Sequence, residues 1–477
     1  MGSSRLPPKV AALFPPLPER ARIDAWLDAQ LAAAAVRIRS GPVTPTVDQR
    51  IFSEQLRAFD FAQPLPLEQV LQWTLEQMQH GIVQMSNPRY FGLFNPAAHF
   101  PAQCADRIAS VFNPQLASSG SSPVPVEIER HVIQCFAERA GLDSGATGHF
   151  ANGGSEANAT ALICALTAAH PEFATQGARA FPGSPTFYAS RDCHIAWLKI
   201  AHQTGIGRSA LRLIDTDGKG RIDIAALTRA IHEDRGQGSV PVMLVATAGT
   251  TGAGMIDPLH ACADIARSEG LWYHVDAAWG GGALASNRLR PLLGGIGRAD
   301  SITIDAHKWL ATTMGCAVFI TAHAATLSAA FHATTSFMPS SVARADPYLN
   351  SVQWSRRFTG LRLFLALASA GWAGLGAHVE RSVEVIETVK DKLVATGWSV
   401  ANDSSLAVLN VVPPVHLGDV RMLVQRVVAS GRAWVAFSTF EGRDVVRICA
   451  THGESTLADV DELVAALNQP GAGDTFG

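Results

Sequence analysis

The sequence predicts an α/β protein: a mostly parallel central sheet, an arm of helices before it and a small α+β unit after it. Three observations lead there. Between residues 186 and 321, short and near-continuously apolar runs alternate with helical stretches, as strands covered on both faces require. Before residue 85, helical segments are separated by proline and glycine rather than by strands. After about residue 372 the pattern changes to a long helix, short strands and a terminal helix.

In chain order, residues 20–38 read as an Ala-rich helix and residues 66–84 as an amphipathic one, with Gly41, Pro42, Pro45, Pro64 and Pro66 between them. Candidate strands are 186–189, 211–214, 242–247, 271–275, 301–304 and 316–321, with helices at 156–169, 222–234 and 257–269. The last part reads as a helix over 376–396, strands at 406–412 and 445–449, and a helix over 456–467. We therefore expect a helical arm (1–85), a large domain (86–375) and a small C-terminal domain (376–477).

Composition narrows the function. Hydrophobic residues at 47% and charged residues at 17% fit a well-buried enzyme rather than a disordered chain. A net charge of −3 gives no bulk attraction to nucleic acid or anionic lipid, and the arm helices carry Glu19, Asp24 and Asp28. The 7 cysteines form no CxxC pair and read as free thiols in a reducing compartment. The 16 histidines form no HxxxH pair, so no metal is expected. Residues 1–18 lack a signal layout, and no uninterrupted apolar run reaches the roughly 20 residues of a membrane span, so a cytoplasmic location is the expectation.

Three segments carry chemistry. The first is Gly148-His149-Phe150-Ala151-Asn152-Gly153-Gly154-Ser155-Glu156-Ala157-Asn158, before an Ala-rich helix. Its small residues let backbone N–H groups approach an anion, the helix N-terminus adds favourable partial charge, and Ser155 offers a hydroxyl. Alone, the run reads equally as a tight turn. The second is Leu271-Trp272-Tyr273-His274-Val275-Asp276-Ala277-Ala278, an apolar strand ending in an aspartate. Open α/β sheets bind ligands at such strand ends, and a carboxylate there can hold a ring nitrogen protonated. Alone, it reads equally as a helix cap. The third is Ser301-Ile302-Thr303-Ile304-Asp305-Ala306-His307-Lys308-Trp309-Leu310. A lysine directly after a hydrophobic strand is costly, and makes sense if its amine forms an imine with an aldehyde cofactor. His307 beside it can reach the cofactor's phosphate. Alone, Lys308 reads as a surface lysine. In this order on one sheet, the three meet the demands of pyridoxal 5′-phosphate (PLP): a phosphate anchor, a partner for the ring nitrogen and a Schiff-base lysine.

On Asn-Gly-Gly-Ser-Glu-Ala-Asn, His-Val-Asp-Ala-Ala and Asp-Ala-His-Lys-Trp-Leu, the chain resembles the PLP-dependent amino-acid decarboxylases, the group of the aromatic-amino-acid, glutamate and diaminobutyrate enzymes. The likeness covers roughly residues 85–375 and implies an aspartate-aminotransferase-like fold. It implies PLP as the cofactor, an L-amino acid as substrate, and a homodimer with its sites at the subunit interface. It assigns catalytic roles to Lys308, His194 and Asp276, with His194 stacked on the cofactor ring. Gly153, Gly154, Ser155, Thr247, Ala278, Asp305 and His307 complete the implied cofactor site. On the substrate side it points to Tyr90 and Phe94, in the entrance segment 87–96, and to Phe337 and Tyr348. Arg89 and Arg447 are candidate carboxylate binders, each with a structural alternative, and Arg356-Arg357-Phe358 is expected to be structural.

The implied reaction is decarboxylation through a Lys308 aldimine and a quinonoid intermediate, releasing CO2 and an amine. One position departs from the pattern: Phe337 stands where the aromatic branch carries a loop tyrosine, and it has no proton to give. This raises the alternative of oxygen-dependent oxidative deamination to an aldehyde, with Tyr348, His194 or water as other proton sources. A non-catalytic regulator on the same fold would lack the lysine or the aspartate, and both are present.

Overall fold

The computed structural model describes Pro7, Val10 and residues 12–333 and 346–470. Seven strands form the central sheet: β1 (Thr147–Ala151), β2 (Pro185–Ser190), β3 (Leu211–Ile214), β4 (Val240–Thr247), β5 (Trp272–Asp276), β6 (Ser301–Asp305) and β7 (Ala317–Thr321). Their spatial order is β1-β7-β6-β5-β4-β2-β3. Strands β2 to β6 pair in parallel, and β7 runs antiparallel to both β6 and β1. The six strands expected from apolar runs all form, each within two residues of the expected bounds. Strand β1 is not legible in the sequence: Thr-Gly-His-Phe-Ala contains no apolar run, and its pairing with β7 makes it a strand.

The helices of eight residues or more, among the described residues, are α1 (Leu17–Ser40), α2 (Gln49–Leu56), α3 (Leu67–Gly81), α4 (Phe100–Phe112), α5 (Pro123–Ala140), α6 (Gly154–Ala169), α7 (Ala196–Gln203), α8 (Ile224–Gly236), α9 (Leu259–Glu269), α10 (Ala324–Phe331), α11 (Leu361–Ala395), α12 (Val420–Ala429) and α13 (Leu457–Leu467). Because strand side chains alternate, β4 sends Met243 and Val245 to one face, with Ala157 and Ala161 of α6 and Trp197 of α7. It sends Leu244 and Ala246 to the other, with Leu227 of α8 and Cys262 of α9. Both faces are thus covered, which is why the strands read as continuous apolar runs.

A second, antiparallel sheet of β8 (Ser399–Val400), β9 (Val408–Val412), β10 (Ala436–Phe440) and β11 (Arg443–Cys449), in the order β10-β11-β9-β8, forms the C-terminal unit with α12 and α13. Helix α11, expected to begin at 376, begins at 361. Gly371 (φ 64, ψ −178) interrupts its helical geometry, which accounts for the change of pattern near 372. It is the one helix among the described residues long and apolar enough to cross a membrane, and it packs against α4, α5 and α13. We propose the division 1–85, 86–375 and 376–477, with α11 joining the last two units. The chain after the arm runs along the C-terminal unit: Phe91 N donates to Trp434 O (2.9 Å), and Trp434 N donates to Arg89 O (3.1 Å).

All seven cysteines are free thiols. Arg356 has the structural role expected of it: it pairs with Glu129 at 2.6 Å, both deeply buried, and Glu129 also accepts from Gly360 N at 3.0 Å. Phe358 fills a small apolar cluster with Leu116 and Val126.

Candidate active site

Parallel pairing brings the carboxyl ends of β4, β5 and β6 to one edge of the sheet, with Thr247 opposite Asp276 in register. Strand β1 shares that direction, since it and β6 both run antiparallel to β7, so the start of α6 arrives at the same edge. A cavity of about 480 Å³ lies there, lined by residues of the glycine-rich run, the strand-end aspartate segment and the lysine segment together.

The floor at one end is the turn into α6. A buried helix of alanines packs tightly on the sheet and points its N-terminus into the cavity. The N–H groups of Gly154 and Ser155 find no backbone acceptor among the described residues. Glu156 closes the turn by accepting from Asn152 N (3.0 Å) and Nδ2 (3.1 Å), and its other oxygen accepts from Gln353. His307 lies beside Gly153. Its Nδ1 lies 2.9 Å from Cys316 O and 3.3 Å from Cys316 N, and its Nε2 lies 3.9 Å from Asp305 Oδ2. Gly154 has no room for a side chain: a Cβ there would stand 2.9 Å from Asp305 Oδ2 and 3.3 Å from the Ala278 Cβ.

At the other end stands Asp276, 4% exposed. Its Oδ2 accepts from Asn158 Nδ2 (2.8 Å) and its Oδ1 from Ala278 N (3.2 Å). His194 lines the same cavity, its Nδ1 accepting from Ala196 N at 3.2 Å. Burial pushes this imidazole below its ordinary value, opposed by the nearby Asp276 carboxylate. Thr247 contributes a buried hydroxyl with no protein partner among the described residues. Lys308 enters between the two ends. Its Nζ meets Asp305 Oδ2 at 2.9 Å, three residues back along the same turn, and lies 5.7 Å from the centre of the Phe94 ring. Asp305 Oδ1 is buried without a partner among the described residues.

The wall around Lys308 is aromatic. Phe94 stacks on Trp279 (4.2 Å between centroids), and Trp279 on Trp309 (4.7 Å). Arg447 approaches the same Phe94 ring at 4.7 Å. Two of its donors are used, Nε to Thr251 O (2.8 Å) and Nη1 to Gly92 O (2.6 Å), while Nη2 is buried and meets no oxygen or nitrogen acceptor among the described residues.

Not every expected residue arrives. Tyr90 is buried beneath Trp434, its hydroxyl accepting from Leu93 N (3.0 Å), and it does not line the cavity. Tyr348 packs on Trp354 (4.8 Å) and its backbone N–H donates to Ala117 O, also away from the cavity. Arg89 is spent on the Gly41 carbonyl. Phe337 lies outside the described residues. Conversely, Asn158 closes the glycine-rich run, and sequence reasoning assigns it no role. It follows Gly154 by one helical turn, so it faces the same side, and that spacing is the available signal.

Residues 55–406 match the pyridoxal-dependent decarboxylase conserved domain. The chain belongs to the pyridoxal-dependent decarboxylases. It is 32% identical, over 64% of its own length, to L-2,4-diaminobutyrate decarboxylase of Rhizobium meliloti, and spans 61% of that relative. It is 26% identical to aromatic-L-amino-acid decarboxylase of Bacillus atrophaeus, over 90% of this chain and 91% of the other. The apo crystal structure of mouse CSAD superposes with a TM-score of 0.86 at 26% identity, covering 94% of this chain and 98% of that one.

PLP is the cofactor of this family, and the residues present fit it. A helix N-terminus with free N–H groups and Ser155 suits its phosphate. Asp276, its two protein-side bonds already made, suits its ring nitrogen, and Lys308 suits its aldehyde carbon. Gly154→Ala tests the cradle. Overpacking costs about 1–3 kcal/mol, so PLP titration of the apoprotein is expected to show roughly tenfold weaker binding. Unchanged affinity would mean that the α6 turn does not hold the phosphate.

Proposed function

We propose that this decarboxylase removes the carboxyl group of an L-amino acid, releasing CO2 and the amine. The observation that carries the reading is the convergence of Lys308 Nζ, the Asp276 carboxylate and the α6 N-terminus on one cavity. Bound PLP supplies a conjugated ring that accepts the electrons left when CO2 departs. The protein does the rest. Asp276 holds a proton on the ring nitrogen. His194 and Ala278, which line the same cavity, would flank the ring, Ala278 being small enough to leave it room. Lys308 would form the imine with the cofactor's aldehyde carbon, and Asp305, 2.9 Å from Nζ, would hold the lysine's amine whenever it is not so linked.

Arg447 gives the substrate a place to anchor. A buried guanidinium whose Nη2 meets no oxygen or nitrogen acceptor among the described residues, held over Phe94, suits a carboxylate of the incoming amino acid. Arg447→Met is expected to raise KM by roughly tenfold or more with little change in PLP affinity, because Arg447 lies outside the lining of the cofactor cavity and its proposed partner is the substrate. Equal losses in both would assign Arg447 to holding the Thr251 and Gly92 carbonyls instead.

The experiment for the function follows CO2 release and oxygen uptake together across a panel of acidic, basic and aromatic amino acids. CO2 without oxygen uptake supports the proposal. The decarboxylases among its relatives favour that outcome over aldehyde formation. Matched CO2 release and oxygen uptake would overturn it, and absence of CO2 with every substrate would remove carboxyl loss itself.

We further infer a homodimer. On α4, which follows the Phe94 segment, Phe100, Val111 and Phe112 are 71%, 81% and 78% exposed, too much apolar surface on one short helix to leave in water. Light scattering that returned a monomer would sink this reading.

A further inference from the structure

Behind Asp276 lies a chain of buried polar side chains that the proposed mechanism does not use. Strand alternation puts Trp272, His274 and Asp276 on one face of β5, the face that α6 covers. Ser301, opening β6, is the register partner of His274. Four links connect them: Trp272 Nε1 to Ser301 Oγ (2.8 Å), Ser301 Oγ to His274 Nδ1 (2.8 Å), His274 Nε2 to Asn158 Oδ1 (3.1 Å), and Asn158 Nδ2 to Asp276 Oδ2 (2.8 Å). His274 and Ser301 are fully buried, Asn158 and Asp276 nearly so.

Hydrogen-bond chemistry allows these links one direction. The Trp272 indole can only donate, so it occupies a lone pair of Ser301. At the other end the Asp276 carboxylate can only accept, so Asn158 turns its amide nitrogen to Asp276 and its Oδ1 to His274 Nε2, which therefore carries the proton. In the neutral ring Nδ1 is then the acceptor, and it takes the single Ser301 proton. Were His274 to carry its proton on Nδ1, Ser301 would lose its acceptor, and Asn158 would face a bare ring nitrogen. Righting that contact by turning the Asn158 amide would set its oxygen against the Asp276 carboxylate. Burial keeps His274 neutral, down to about 4, against the pull of Asp276. Its ring stands nearly perpendicular to that of Trp197, with 5.7 Å between centroids.

We propose that His274 is a positioning residue: its Nε2–H tautomer, supported from behind by Ser301 and Trp272, locks Asn158 and thereby aims the free lone pairs of Asp276 at the cofactor's ring nitrogen. This rests on the proposed function in needing PLP in the cavity. It adds that the ring-nitrogen contact is supported from four side chains away, by a proton order that deleting a single oxygen disrupts.

The test is PLP titration of apoprotein variants, read by dissociation constant and by the visible absorption of the bound cofactor, with thermal melts to check folding. Ser301→Ala deletes one oxygen and frees His274 to adopt the other tautomer. It is expected to weaken PLP binding by roughly tenfold, the scale on which outer partners of a bound group act, and to shift the visible band. His274→Phe is expected to do the same, while His274→Gln, which keeps an N–H donor for Asn158, recovers most of both. Wild-type affinity and spectrum in Ser301→Ala overturn the proposal, as does equal impairment of His274→Phe and His274→Gln. Because the parent protein's PLP binding is the reference, its absence would sink the proposed function as well, whereas unaffected variants beside a PLP-binding parent sink this inference alone.

Discussion

Lys308→Arg is expected to abolish turnover, with kcat falling by roughly 10⁴ or more, while the protein still folds. The substitution separates two roles. Arginine keeps a positive charge beside Asp305 Oδ2, where Lys308 now sits at 2.9 Å, so the electrostatics of the turn survive. A guanidinium, delocalised and always protonated, cannot condense with an aldehyde. If the amine matters as a nucleophile, Lys308→Arg is as dead as Lys308→Ala. If it matters only as a cation, arginine retains most of the activity. Borohydride treatment supplies a second readout: the wild-type protein is expected to retain PLP covalently through denaturation, and neither variant is. Activity of Lys308→Arg within tenfold of wild type would remove Lys308 from the chemistry. The expectation is strong because the site invests in this side chain. The lysine follows a strand whose five residues are all buried, and its own side chain is only 19% exposed. A residue so expensive to bury has a use there.

Much of this site is legible in the amino-acid sequence. Strands β4, β5 and β6 are buried on both faces, so they announce themselves as apolar runs, and the polar residue that ends each one, Thr247, Asp276 or Asp305, marks the edge where a ligand sits. The rest is hidden for physical reasons. Strand β1 has no apolar pattern because a glycine and the buried His149 occupy it; its identity comes from β7. Helix α5 buries Val132, Ile133 and Phe136 over a polar outer face, and it is not among the helices expected from the sequence. Tyr90 and Tyr348 look like site residues from their neighbours in sequence, yet the aromatic contacts that orient them, Trp434 and Trp354, are set by tertiary packing. Asn158 and His274 lie inside the chemical motifs, but a link between a helix and a strand more than a hundred residues apart has no local trace.

Asp276→Asn is expected to lower kcat by roughly 10²–10³, the range for removing one buried group that stabilises charge in a transition state. The change is nearly isosteric, so packing survives and two electrostatic consequences remain. First, a neutral amide no longer favours a proton on the ring nitrogen, and the electron demand that drives carboxyl loss falls. Second, the protein side of the pair is frustrated. Asn158 Nδ2 and Ala278 N both donate to Asp276 now, each to its own oxygen, and an asparagine has one oxygen for the two. One N–H group is left facing another unless Asn158 turns, and Asn158 cannot turn without setting its amide nitrogen against the His274 Nε2–H. The loss should therefore fall on kcat more than on KM, and exceed that of Ser301→Ala, which disturbs the same carboxylate without removing its charge. Comparing kcat in Asp276→Asn, Asn158→Ala and Ser301→Ala checks this. A decline that is steepest at Asp276 and eases along the relay identifies the carboxylate as the working group and the rest as its support. An Asp276→Asn enzyme within tenfold of wild type would show that the ring nitrogen does not need the charge, and with it the reason for a buried relay would go.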